Sequence, residues 1–140
     1  MDAGSRGGEV TGPVPWRRTL GVWMLIMLAE TLHGAAREIF IAPVIGDLRA
    51  RQWGVLVACG IIFLITWAAI RWLNAPTRRT QSFIGLSWVA LTLVFEFTLG
   101  RALGSSWSRI LSDYNPADGG LMLFGLAFMA CAPLLAAKLR

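Results

Sequence analysis

Four long apolar stretches constrain this chain more than any other feature. Trp53–Ile70 holds 18 consecutive uncharged residues and Gly119–Ala137 holds 19. Two further stretches are interrupted by acids. Thr19–Ala29 has 11 uncharged residues and continues through Glu30 and His33, and Thr80–Phe95 has 16 and continues through Glu96. A bilayer core of about 30 Å needs roughly 20 residues of helix. The pattern predicts an all-α, polytopic four-helix bundle, with spans at about 19–42, 53–72, 81–104 and 118–138. Composition agrees: 56% of the 140 residues are hydrophobic and 15% are charged, against about 25% charged in a soluble domain.

The segment before the first span, residues 1–18, is polar and rich in Gly and Pro and reads as a disordered tail. Arg17-Arg18 followed by an apolar run superficially fits an export signal. Glu30 in the middle of that run, and three further spans, favour an ordinary first span. Pro43 is expected to end the first helix. Asp47 is expected to cap a short helix, Leu48–Gln52, that enters the second span. Asn115-Pro116 fits an N-cap followed by Pro at the first helical position.

The net charge is +5, and 12 of the 13 basic residues are Arg. In so apolar a chain there is too little polar surface for a nucleic-acid groove, so no nucleic-acid partner is expected. The basic residues instead report orientation. Arg6, Arg17, Arg18, Arg71, Arg78, Arg79, Lys138 and Arg140 fall on one side, with only Asp2 and Glu9. The other side carries Arg37, Arg49, Arg51, Arg101 and Arg109 with the six remaining acids. The positive-inside rule then predicts a bacterial inner-membrane protein with both termini cytoplasmic. Trp16 and Trp72 would mark the inner interface, and Trp53 and Trp107 the outer one. Cys59 and Cys131, inside apolar runs, read as small core residues.

Displacing the chain by 66 positions aligns the first hairpin with the second. Glu30 meets Glu96, Gly34 meets Gly100, Asp47 meets Asp113 and Gly54 meets Gly120. Two similar hairpins in the same orientation would form a parallel repeat about an axis along the membrane normal.

Ionisable groups inside spans are costly, so they mark functional candidates. Glu30, His33 and Arg37 are spaced i, i+3, i+7 and share one helical face. On the third span Thr92, Glu96 and Gly100 recur every four residues beside Arg101. Gly100-x3-Gly104 is a small-x3-small pattern suited to close helix approach. These spacings predict that spans one and three face each other, gathering Glu30, His33, Arg37, Glu96 and Arg101 into a polar core in the outer half. Spans two and four, which hold nothing ionisable, read as lipid-facing or packing helices. In the outer loops Asp47, Asp113 and Arg109 read as caps or ion pairs.

Two functional readings stay open. In one, paired charges fix helix register in an accessory or structural membrane subunit, which works with a membrane partner or a second copy of itself. In the other, Glu30, His33 and Glu96 serve a small proton- or ion-coupled transporter or channel. Glu30-x2-His33 is also the ligand pair of di-iron bundles, but the position matching His33 is Leu99, which leaves too few ligands, and no metal or other cofactor is expected. No Ser/His/Asp set or phosphate-binding loop points to catalysis.

The segments Ala29-Glu30-Thr31-Leu32-His33-Gly34, Ile45-Gly46-Asp47-Leu48-Arg49-Ala50-Arg51-Gln52, Phe95-Glu96-Phe97-Thr98-Leu99-Gly100-Arg101 and Ser106-Trp107-Ser108-Arg109-Ile110, followed by Ser112-Asp113-Tyr114, resemble those of a group of small bacterial four-span integral membrane proteins. The resemblance spans Thr19–Arg140 and excludes the tail. It implies membrane integration and brings no activity, substrate or cofactor.

Overall fold

The computed structural model describes residues 14–112, 114, 115, 117 and 120–140. Among them there is no strand. Helix α1 (Trp16–Ala36) runs through a π turn (Arg37–Ile41) into a short α2 (Ala42–Ile45), and α3 (Asp47–Leu73) returns. Helix α4 (Arg78–Ala102) then rises, α5 (Trp107–Ser112) lies in the following connection, and α6 (Met122–Leu139) closes the bundle. Four helical stretches are long and apolar enough to cross a membrane: Trp16–Ile45, Asp47–Leu73, Arg78–Ala102 and Met122–Leu139. This is the architecture of a multi-pass membrane protein. Only 22–28% of the most apolar window of each span is buried within the bundle, so most of its apolar surface is left for lipid.

Several boundaries differ from expectation. Pro43 does not end the first helix. It sits in the first turn of α2, where its missing N–H costs no helical bond, and the wider π turn before it carries the chain to Ile45. Termination falls to Gly46, at φ 92° and ψ 153°, a conformation that only glycine adopts readily. Gly46 is also the N-cap of α3. Asp47 therefore lies in the first turn of the second span, not at its cap, and Leu48–Gln52 is continuous with that span. The first helix begins at Trp16, so Trp16, Arg17 and Arg18 belong to it and not to the tail; residues 1–13 lie outside the described set. Pro116 is also outside it, while Asn115 Oδ1 accepts a bond from the Ala117 N–H at 3.0 Å. The α3–α4 connection is tight because each end is capped. Asn74 takes the left-handed conformation after α3, and Thr77 Oγ1 accepts from the Thr80 N–H at 3.2 Å.

Packing runs in a ring: α1 against α3, α3 against α6, α6 against α4, with α1 and α4 meeting narrowly. The two helices of the second and fourth spans thus form the most extensive contact, the packing role and not a purely lipid-facing one. Where α4 crosses α6, Gly85 lets the backbones approach so closely that a Cβ there would lie 2.8 Å from the Ala130 carbonyl carbon. Two tryptophans join α1 to α4. Trp23 Nε1–H donates to Thr92 Oγ1 at 3.0 Å, and Trp88 Nε1–H donates to the Thr19 carbonyl at 2.9 Å. Both pairs are separated by 69 residues, so the two helices run in the same direction.

The packed core gathers at one end of the bundle, around Ile26, Ile62, Leu73, Ile84, Trp88 and Ala132. That end also carries the basic cluster. Arg18 donates to the Trp72 carbonyl at 2.7 Å and stacks over its ring, and Arg140 lies 4.3 Å from the centre of the Trp67 ring. Trp16, Trp53, Trp72 and Trp107 are all exposed. The cysteines are free, Cys59 half-buried and Cys131 exposed, so neither is the core residue that the sequence suggested.

Candidate functional site

At the end opposite the basic cluster, the four spans part around a cavity of about 410 Å³. The small residues and the turn chemistry create this opening. Gly34 has open space where a side chain would be, and Gly54 leaves room on α3 for the side chains of Arg37 and His33, whose Cδ and Cε1 atoms lie 3.1 and 3.7 Å from the place a Cβ would occupy.

Glu30, His33, Arg37 and Glu96 all line this one cavity. The groups on α1 form a row. Glu30 Oε2 lies 3.8 Å from His33 Nδ1, and Arg37 Nη2 lies 3.6 Å from Glu38 Oε1 beyond it. Two buried atoms in this row have no protein partner: Glu30 Oε1, an acceptor, and Arg37 Nε, a donor. Burying such atoms unpaired is costly, and each therefore calls for a water or a ligand.

Arg101 does not join the cluster. It is exposed, donates from Nη1 to the Ser105 carbonyl at 3.2 Å and lies 5.0 Å from the centre of the Trp107 ring. It thus closes the C-terminal end of α4, where the helix dipole favours a cation. The reason is angular: Arg101 follows Gly100 by one residue and so points about 100° away around the helix. Gly100 itself packs against the Ile110 side chain of α5 and not against another span, and Gly104 turns the chain with φ 85°. The expected small-x3-small helix contact is instead made by Gly85.

In the connections, Asp47 Oδ2 lies 3.0 Å from Arg51 Nε and 3.7 Å from Arg109 Nη2. Asp47 and Arg109 thereby tie the start of α3 to α5. Asp113 lies outside the described residues.

The sequence missed the share of the wall supplied by spans two and four. Arg51, Gln52 and Gly54 from α3, and Gly120, Met122 and Met129 around α6, line the cavity. One signal was present: Gly54 and Gly120 are aligned by the 66-residue displacement, as are Glu30 and Glu96, and all four line the cavity. Among the described residues no group of three or more His, Cys, Asp or Glu side chains is placed to hold a metal ion.

Comparison with protein-family models, with curated proteins and with solved structures finds no match for this chain.

The cavity is closed toward the packed end of the bundle. At its floor Thr92 and Met129 are joined by a hydroxyl–sulfur contact of 3.3 Å. Beneath them lie the Trp23–Thr92 and Trp88–Thr19 bonds and the fully buried Trp88 and Ile84. The arrangement can hold a small molecule against charged and apolar walls together, and the described residues offer no continuous polar path through the bundle.

Proposed function

We propose that this is an accessory protein of a bacterial inner membrane, with both termini cytoplasmic, whose bundle holds a ligand cavity in its periplasmic half. The observation that carries the reading is a cavity closed at the packed end, with two unpartnered buried polar atoms in its wall. Its volume falls within the roughly 300–1,000 Å³ of ordinary ligand pockets. The basic cluster at the packed end supports the orientation through the positive-inside rule. One further fact supports a duplicated hairpin: the aligned pairs Glu30/Glu96 and Gly54/Gly120 all line the same cavity. An accessory role implies a membrane partner or a second copy of the chain, which the largely unburied apolar surface of the spans would accommodate.

A cysteine probe tests the cavity and its orientation together. Gly34→Cys, with Cys59→Ser and Cys131→Ser, is expected to react with a membrane-impermeant maleimide added outside intact spheroplasts. A C-terminal reporter should be active in the cytoplasm. Labelling of Gly34→Cys only after permeabilisation would overturn the reading.

The second reading is proton- or ion-coupled transport, favoured by the presence of Glu30, His33 and Glu96 in one cavity. Proteoliposomes separate the two. Transport predicts that Glu30→Gln and Glu96→Gln fold normally and lose flux. The accessory reading predicts no protein-dependent flux in the wild type.

A further inference from the structure

The depth order of the cavity wall identifies the chemical class of its ligand. Four spans reach the same floor, at Met27, Ile62, Thr92 and Met129, and this level is apolar but for one hydroxyl already bonded. Roughly one turn higher lie the two carboxylates, Glu30 and Glu96. At the mouth lie Arg37, Glu38, Arg51 and Gln52. Polarity therefore rises from floor to mouth, as it does along an amphiphile standing in one leaflet of a bilayer.

The signs of the wall narrow the class further. The lining carries three carboxyl groups, Glu30, Glu38 and Glu96, with the two carboxyls of Glu30 and Glu96 at the deeper level and the guanidiniums of Arg37 and Arg51 at the mouth. An anionic amphiphile would set its headgroup at the carboxylate level, among like charges. The unpartnered Glu30 Oε1 accepts a hydrogen bond and calls for a donor just above the apolar floor. The unpartnered Arg37 Nε calls for an acceptor nearer the mouth. The Arg37 and His33 side chains come together over Gly54, with Arg37 Nη1 3.4 Å and His33 Cε1 3.7 Å from the position a Gly54 Cβ would take.

Resting on the reading of this cavity as a ligand site, we propose that it binds an amphiphilic amine. The apolar body lies on Met27, Ile62 and Met129, a protonated N–H group donates to Glu30, and an oxygen on the outward side accepts from Arg37. The requirement for an N–H is specific, because a quaternary ammonium has the charge but cannot donate.

Calorimetric titration of the purified protein in maltoside micelles tests this with decylammonium, decyltrimethylammonium, decanoate and ethanolamine. Decylammonium is expected to bind saturably, one per chain, at least about tenfold more tightly than decyltrimethylammonium, the step of one charge-assisted hydrogen bond. Decanoate, and ethanolamine with its missing tail, are expected not to bind. Glu30→Gln should lower decylammonium affinity about tenfold and abolish the preference over the quaternary compound. Gly34→Leu places bulk in open space within the cavity and should abolish binding while leaving the fold intact, which keeps the test decisive if Glu30→Gln is poorly folded. Equal, non-saturable uptake of both ammonium probes would overturn the proposal, as would binding unchanged by Gly34→Leu. Ethanolamine binding as tightly as decylammonium would overturn the role of the apolar floor. External labelling of Gly34→Cys with no amine binding would defeat this inference and leave the proposed function standing; no external labelling would defeat both.

Discussion

Replacing Gly85 by alanine is the sharpest test of how the spans are held together. The new Cβ would overlap the Ala130 carbonyl group, with its carbon 2.8 Å away, where carbon atoms pack optimally at about 3.5–4.0 Å. The obstacle is backbone and not a flexible side-chain end, so α4 and α6 must separate by about 1 Å. A gap of 0.5–1 Å forfeits roughly a quarter to a half of each contact's attraction, and the neighbouring contacts include fully buried Ile84, Trp88 and Ala132. Overpacking of this kind costs about 1–3 kcal/mol, and the helix-propensity gain of Gly to Ala, up to about 1 kcal/mol, offsets part of it. The net expectation is a loss of about 1–2 kcal/mol. Gly60 is the internal control, since nothing lies within 4 Å of its Cβ position. Gly60→Ala should be neutral or stabilising by up to about 1 kcal/mol. Reversible unfolding in mixed maltoside–dodecyl sulfate micelles, followed by far-ultraviolet circular dichroism, measures both. Equal stability of Gly85→Ala and wild type, or equal destabilisation by the two substitutions, would refute the close α4–α6 crossing.

Three further outcomes follow from the same geometry. Trp88→Phe removes the N–H that binds the Thr19 carbonyl and part of a fully buried ring, and should cost about 1–3 kcal/mol in the same micelle titration. Gly46→Ala places a Cβ at φ 92° between α2 and α3, which should cost about 1–3 kcal/mol and speed proteolytic nicking at that connection. Asp47→Asn removes the ion pairs to Arg51 and Arg109; because Asp47 remains about half exposed, the loss should be no more than about 1 kcal/mol and should shrink in high salt.

What the sequence reveals, and where it falls silent, follows from the solvent such a chain occupies. In water a helix advertises its packing face by an apolar stripe, whereas in lipid every face is apolar and the stripe disappears. The four spans are legible because length and hydropathy must match the bilayer. The shared face of Glu30, His33 and Arg37 is legible because charges are rare enough in a span for their spacing to be read directly. The partners of each helix are not marked in the same way. The α4–α6 crossing depends on Gly85 meeting Ala130, 45 positions away, and nothing local distinguishes Gly85 from Gly60, which packs against nothing. The same reasoning explains two misplacements, one in the polar core and one at a helix end. Arg101 is adjacent to the face of Thr92, Glu96 and Gly100 in sequence, yet one residue of helix turns it toward Trp107. Pro43 is a strong stop signal in water-exposed chain, yet a preceding π turn accommodates it and keeps α1 rising to Ile45. That continuation has a consequence for the cavity. A π turn widens the helix where Arg37 begins it, and such turns are frequent at functional sites. Both unpartnered atoms of the wall lie on this helix, and one of them belongs to the first residue of the π turn. The backbone irregularity and the unpaired polar groups thus fall at the same place, where a ligand has something to satisfy.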